Sequence, residues 1–258
     1  MRARVEVIGI GAGDPGHVTV EGVAALNRAD VVFFLDKPGE ARELSDLRQA
    51  ILDTHVPDGG YRVVRAEDPP RDRAAARYVD AVADWRSRRA DVCERMIAEH
   101  LKPGETGAFL VWGDPALYDS IIAVVDDVLA RGRVDFDVRV VPGVSSVSAL
   151  AARHRTTFNQ VGGAVQITTG RRLAAGWPEG ADDVVVMLDA HNAFLRFADD
   201  PGVRISWGAY VGTEDEILIS GRLVDVAERI VEARERARRA KGWIMDSYLL
   251  RRGAGDPD

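Results

Sequence analysis

Three kinds of side chain in this sequence are spaced to do chemistry. The buried run Val31–Leu35 (VVFFL) ends at Asp36 and Lys37, which puts a carboxylate and an ammonium at the carboxyl end of a strand. There Asp36 can act as a general base and Lys37 can hold a substrate anion; solvated surface charge is the plainer reading of both. Arg171 and Arg172 follow the strand-like Val165–Thr168, just after Thr169-Gly170. Guanidinium forks bind carboxylates bidentately, so a carboxylate clamp stands beside an exposed surface pair as the reading. The third kind is acidic. Asp14 and Asp114 each precede a proline in a glycine-bearing loop, and Asp14 is the second candidate base.

Those loops are the strongest local signal. Val7–Pro15 (VIGIGAGDP) runs an apolar strand into Gly9, Gly11 and Gly13, with Ala12 among them. A dinucleotide fingerprint would need a small residue where Asp14 stands, and a carboxylate there repels a pyrophosphate. The loop is therefore a ligand site of another kind or a tight turn. Two further loops follow apolar strands: Trp112-Gly113-Asp114-Pro115, and Pro142-Gly143-Val144-Ser145-Ser146. Ligands of α/β sheets gather beyond the carboxyl ends of strands, so three such loops argue for function where one would be a turn. Bare backbone around Gly113 can hydrogen-bond an adenosyl or amino-acid moiety, whereas Ser145-Ser146 taken alone reads as a helix N-cap. Val147 stands where a nucleophile elbow needs glycine. The five histidines show no metal spacing, and no metal is expected.

The elements that must position these residues alternate. Strands are expected at Val5–Ile10, Val31–Leu35, Phe109–Val111, Asp137–Val141, Val165–Thr168, Val184–Leu188 and Ile205–Val211. Helices are expected at Thr19–Asn27, with Val20, Val23 and Ala24 on one face, near Ala41–Leu52, and at Ile121–Leu129, Ser145–Ala152 and Leu223–Arg234. A long amphipathic helix carries Tyr78, Val82, Trp85, Arg89, Val92 and Met96, with Arg89 interrupting an otherwise apolar seam. Asp36 to about Arg73 otherwise reads as charged, proline-punctuated connection, and the tail GAGDPD as frayed. The class is α/β with two sub-domains, 1–142 and 143–258, hinged at Pro142-Gly143.

The 258 residues are 46% hydrophobic and 29% charged, with a formal net charge of −7, an ordinary globular composition that argues against a general nucleic-acid binder. Local arginines can still focus positive potential on a small anion. The single cysteine, Cys93, excludes a disulfide framework and reads as core filling, with a reactive thiol as the alternative. No apolar run approaches the ~18 residues of a membrane span, and the N-terminus MRARVEV lacks a signal-peptide core, so a cytoplasmic protein is expected.

Three segments taken in order, IGIGAGDPGHVTVEGVAALNRADVVFF, FLVWGDPALYDS and VVPGVSSVSALAA, resemble the S-adenosylmethionine-dependent tetrapyrrole methylases. LDKPGEARELSDLR, ARHRTTFNQVGG, ITTGRRL, VVVMLDAHNAF, WGAYVGTEDEILISG and KGWIMDSYLLRR are similar to the branch that acts on precorrin-5 in aerobic cobalamin synthesis. The resemblance runs from Val5 to Arg252. It implies two α/β domains with the S-adenosylmethionine site in the cleft between them, a homodimer, and C1 methylation of precorrin-5 with loss of acetate. It also assigns donor contacts to Ala12, Trp112, Gly113, Asp114, Leu117, Ser145, Ser146, Leu188 and Gly212, and a candidate base to Asp36. Trp112 replaces a glycine common in the family. The alternatives are a methylase of another precorrin position and, further off, diphthine synthase, whose substrate is a protein. Outside the family stand a nucleotide-dependent oxidoreductase and a non-catalytic tetrapyrrole carrier.

Overall fold

A computed structural model of the chain describes residues 1–36, 42–70 and 78–252. Contacts divide the chain into two compact units, Met1–Ser145 and Ser146–Asp258.

In unit 1, the strands are β1 (Ala3–Gly9), β2 (Val31–Asp36), β3 (Arg62–Glu67), β4 (Thr106–Val111) and β5 (Phe136–Val141). The helices are α1 (Val20–Leu26), α2 (Arg42–His55), α3 (Tyr78–His100) and α4 (Ile121–Ala130). The strands form one parallel sheet in the order β3-β2-β4-β1-β5. Parallel strands are covered on both faces, so their sequences are apolar at successive positions rather than alternating. Val5, Val7, Phe33 and Phe109 pack with Ala90, Cys93, Ile97 and Val124 on one face. Ile8, Val32, Phe34 and Leu110 pack with Leu26, Ile51 and Leu52 on the other. Each such buried side chain contributes about 1.5–3 kcal/mol of transfer free energy. Cys93 belongs to that core, where burial pushes its thiol pKa up to about 12. It fills space and is no nucleophile.

The outline expected from sequence holds here with two corrections. β3 lay inside the stretch read as connection: RVVRAE carries too much charge for a strand pattern, yet as an edge strand it needs only the ladder from Val31↔Arg62 to Asp36↔Glu67. The face expected for α1 is also wrong. The buried residues are Gly22, Ala25 and Leu26, while Val20 is 89% exposed. Gly22 packs against the Val18 side chain and the helix N-cap, Thr19, whose hydroxyl accepts the Gly22 N–H at 3.0 Å.

In unit 2, α5 (Ser146–His154), α6 (Gly170–Leu173) and α7 (Leu223–Lys241) accompany strands β6 (Val165–Thr169), β7 (Asp183–Met187), β8 (Val203–Ala209), β9 (Ile217–Arg222) and β10 (Asp246–Arg252). The sheet order is β6-β7-β10-β8-β9. Only β6 and β7 run parallel; β10 pairs antiparallel with both β7 and β8, and β9 with β8. β9 and β10 were not expected as strands. The last strand thus returns to the middle of the sheet, burying Tyr248, Leu249 and Leu250. The tail GAGDPD lies outside the described residues. Among the described residues no helix is long and apolar enough to cross a membrane.

Candidate active site

The strand order explains why three separate loops belong together. β4, β1 and β5 are neighbours, so the loops that leave their carboxyl ends lie side by side. Gly11 and Gly113 form an antiparallel bridge: the Gly113 N–H donates to the Gly11 carbonyl at 2.7 Å, and the Gly11 N–H to the Gly113 carbonyl at 3.3 Å. Gly113 takes φ +66°, a conformation that L side chains rarely adopt. The third loop closes on both. A Cβ on Gly143 would stand 2.2 Å from the Gly113 carbonyl oxygen and 2.7 Å from the Gly9 carbonyl carbon.

Asp114 ties this arrangement with its side chain, one oxygen accepting from the Ala116 N–H at 2.8 Å and the other from the Gly143 N–H at 2.9 Å. Asp14 caps the short turn Pro15–His17 by accepting from the Gly16 N–H at 2.8 Å. Ala12 is buried, Trp112 and Leu117 are half-buried, and Ser145 and Ser146 are half-buried at the start of α5.

Along the same edge the other half is charged. Asp36 is the last residue of β2, not a loop residue. Its Oδ1 accepts from the Ser45 hydroxyl at 2.7 Å, and Arg65, from the neighbouring β3, donates to Oδ2 at 3.0 Å and Oδ1 at 3.3 Å. Buried Asp68, just beyond β3, pairs with Arg89 at 2.9 Å, which accounts for the charge in the α3 seam. Arg89 also donates to the Ser120 hydroxyl at 2.7 Å. Lys37 lies outside the described residues.

In unit 2, Leu188 follows β7 at φ +54° and is 66% exposed. A non-glycine residue in this region carries roughly 1–3 kcal/mol of backbone strain and persists only when its surroundings fix it. Here they do. The Asp189 carboxylate accepts from the Tyr248 hydroxyl at 2.6 Å, the Ala193 N–H at 2.7 Å and the His191 N–H at 2.9 Å. Arg234, buried on α7, donates to the Asp189 carbonyl and the Asn192 side chain and pairs with Asp246 at 2.8 Å. Burial and the Asp189 carboxylate hold the Tyr248 hydroxyl well above the ordinary phenol pKa, so it serves as a donor. Gly212 takes φ +86°, its N–H donating to Glu216 at 2.8 Å. Arg171 and Arg172 lie exposed on α6.

Sequence reasoning missed Ser45, Arg65, Asp68 and the Asp189–Arg234–Asp246 network. The signals were faint: one arginine in an apolar helix seam for Asp68, and an aspartate directly after an apolar strand for Asp189.

This chain thus joins a parallel sheet whose glycine loops meet at its carboxyl edge to a second, mixed sheet. The chain belongs to the tetrapyrrole (corrin/porphyrin) methylases, whose family model matches residues 4–227. It is 47% identical over 251 residues, 97% of this chain and 96% of the relative, to precorrin-6A synthase [deacetylating] of a Sinorhizobium species. The crystal structure of a cobalamin synthesis related protein (CobF) from Corynebacterium diphtheriae superposes with a TM-score of 0.84 at 34% identity, covering 98% of this chain and 99% of that one. Uroporphyrin-III C-methyl transferase from Thermus thermophilus, solved with S-adenosylhomocysteine, shares the fold at a TM-score of 0.58 and 20% identity, over 96% of each chain.

Proposed function

We propose that this chain converts precorrin-5 to precorrin-6A, methylating C1 with S-adenosylmethionine and releasing acetate, in aerobic cobalamin biosynthesis. The observation that carries the reading is the identity to precorrin-6A synthase [deacetylating] along nearly the whole of both chains. The reading includes a homodimer, on the family resemblance, and a cytoplasmic location, on the lack of an apolar run long enough for a membrane span; the solution mass of the purified protein tests the dimer.

The loop residues fit such a donor. A sulfonium is cationic where a dinucleotide is anionic, and two aspartates, Asp14 and Asp114, stand in adjoining loops of the carboxyl edge. Gly113 and small Ala12 keep side-chain bulk out of these loops, and the hydroxyls of Ser145 and Ser146 offer donors and acceptors for an adenosyl amino acid. Leu188 and Gly212 are assigned to the same donor, supported by the fixed left-handed turns that present their backbone. When bound, S-adenosylmethionine supplies an activated methyl group, and the chain's part is alignment, which can supply roughly 7–11 kcal/mol of the barrier.

Asp36 is assigned the water. Ser45 and Arg65 fix its orientation through three hydrogen bonds and leave one acceptor position on Oδ2 for a water hydrogen. In this scheme the activated water adds to the acetyl carbonyl. The bond to the ring carbon breaks, its electron pair passes into the macrocycle, and acetate leaves. The ring carbon then takes the methyl group. Asp14 is the second choice. Lys37, Arg171 and Arg172 are assigned to the substrate's peripheral carboxylates, because a chain of net charge −7 needs local cations to hold a polyanion.

Incubation with precorrin-5 and methyl-labelled donor tests the whole reading. One methyl gained and one acetate released per turnover is the expected result. Methylation without acetate reassigns the enzyme to another precorrin position, and binding without turnover makes it a carrier. Asp36→Asn is expected to slow acetate release about 10²–10⁴-fold; near-normal turnover removes Asp36 from the mechanism. Acetate release with S-adenosylhomocysteine in place of the donor places cleavage before methylation.

A further inference from the structure

Within unit 1, beyond the ends of β2 and β4, lies a small pocket of about 50 Å³. It has room for a few water-sized groups, enough for the end of one short arm of a large ligand and not for a macrocycle. The apolar part of its lining comes from Phe33, Leu35, Phe109 and Ile121. Its polar lining comes from Arg48, Arg89, Asp119 and Trp112.

Arg48 differs from the other charges near it. Asp36 is held by Arg65 and Ser45, and Asp68 by Arg89. Asp119 accepts the Ile121 N–H at 2.6 Å, capping α4. The Arg48 guanidinium makes no hydrogen bond or ion pair among the described residues. It lies over the Trp112 ring at 5.3 Å and near Phe34 at 6.0 Å. Burial lowers its pKa from the ordinary value, as expected of a cation drawn out of water with no anion in contact. The indole N–H of Trp112, in the same lining, is buried without an acceptor among the described residues. Two donors thus lack an acceptor in one small pocket. The buried Trp112 N–H is costly to leave unsatisfied and the partly exposed Arg48 fork beside it is unpaired among the described residues, which makes an acceptor group the missing partner.

We propose that this pocket receives the end of one carboxylate-bearing side arm of the tetrapyrrole, its methylenes against the apolar lining and its carboxylate on the Arg48 fork. The assignment rests on the proposed substrate class and adds to it the specific cation. Asp36, at the end of the strand lining this pocket, would then face a substrate anchored beside it.

The test compares wild type with Arg48→Gln and Arg48→Lys in three measurements: precorrin-5 turnover, binding of uroporphyrin as a stable carboxylated tetrapyrrole, and S-adenosylhomocysteine binding. Arg48→Gln is expected to raise the precorrin-5 KM and the uroporphyrin Kd about 10–100-fold, with S-adenosylhomocysteine affinity and melting temperature held. Arg48→Lys keeps the charge without the fork and should fall between; it carries the test if Arg48→Gln does not fold. Unchanged tetrapyrrole binding, an equal loss of both ligands, or no uroporphyrin binding by wild type overturns the inference. Absent precorrin-5 turnover with Arg48-dependent uroporphyrin binding overturns the reaction and leaves the pocket assignment standing.

Discussion

The two units fix their functional turns by opposite means. In unit 1 the three loops are shaped mainly by backbone against backbone, with Gly113 at φ +66° and Gly143 leaving no room for a side chain. In unit 2 the left-handed turn at Leu188 is held from beneath by buried side chains, Asp189, Arg234, Asp246 and Tyr248. A site built mainly of backbone is most sensitive to added atoms, with charge entering through the Asp114 carboxylate that accepts the Gly143 N–H. A site held by a buried ionic network is sensitive to lost charge and tolerant of small added bulk at its rim. The residues proposed to contact the donor in the two units therefore rest on two different kinds of physics.

Adding one carbon should break unit 1 hardest. Gly143→Ala is expected to cost roughly 3 kcal/mol or more, because the contacts it violates are backbone and cannot rotate away. Denaturant unfolding measures this. Gly60→Ala, whose Cβ meets nothing within 4 Å, is the control and should stay within about 0.5 kcal/mol. Similar losses for both would remove the close approach as the reason for glycine. In unit 2, Asp189→Asn keeps the volume but places an NH₂ against the N–H groups of His191 and Ala193 or the hydroxyl of Tyr248. Its expected cost is roughly 1–3 kcal/mol, read as a lower denaturation midpoint; a neutral result would mean that charge does not hold the turn.

The smallest effect separates the units by pH. Burial lowers the pKa of His154 below its ordinary 6.5, and its Nε2 lies 3.0 Å from the Trp207 carbonyl with Glu216 nearby. The unfolded chain binds the proton more readily, so stability falls as the pH drops through about 6.5 toward the lower folded value. Solvent screening of this half-exposed ring limits the loss to about 0.5 kcal/mol. His154→Gln should flatten that part of the stability profile, measured as midpoints between pH 7.5 and 5.

The contrast also marks what the sequence could convey. Glycines after apolar runs announce tight loops, and the three in unit 1 were legible as a set. Their adjacency was not, because β4 and β5 reach β1 across long intervals of chain. The partners of Asp36 were hidden for the same reason: Arg65 reaches it only through the register of β3, a strand too charged to look like one. Arg48 sits in α2, whose polar sequence RELSDLRQAILDTH gives no hint that one arginine turns inward. Strand β10 pairs with β7 from the far end of the unit, so an alternating reading stopped before finding it.

The order β4-β1-β5 also has a consequence in time. β1 is made first, but its two partners begin at Thr106 and Phe136. At a synthesis rate of about 5–20 residues per second, the first strand waits roughly 5–20 s for a neighbour. Through that interval the nascent chain carries Val5, Val7, Ile8 and Ile10 unpaired, interrupted by Arg4 and Glu6 and preceded by Arg2. Arg2 ends up paired with Asp135 and Asp137, and Glu6 with Arg28. Before that, they are what keeps the newborn strand from joining another copy of itself.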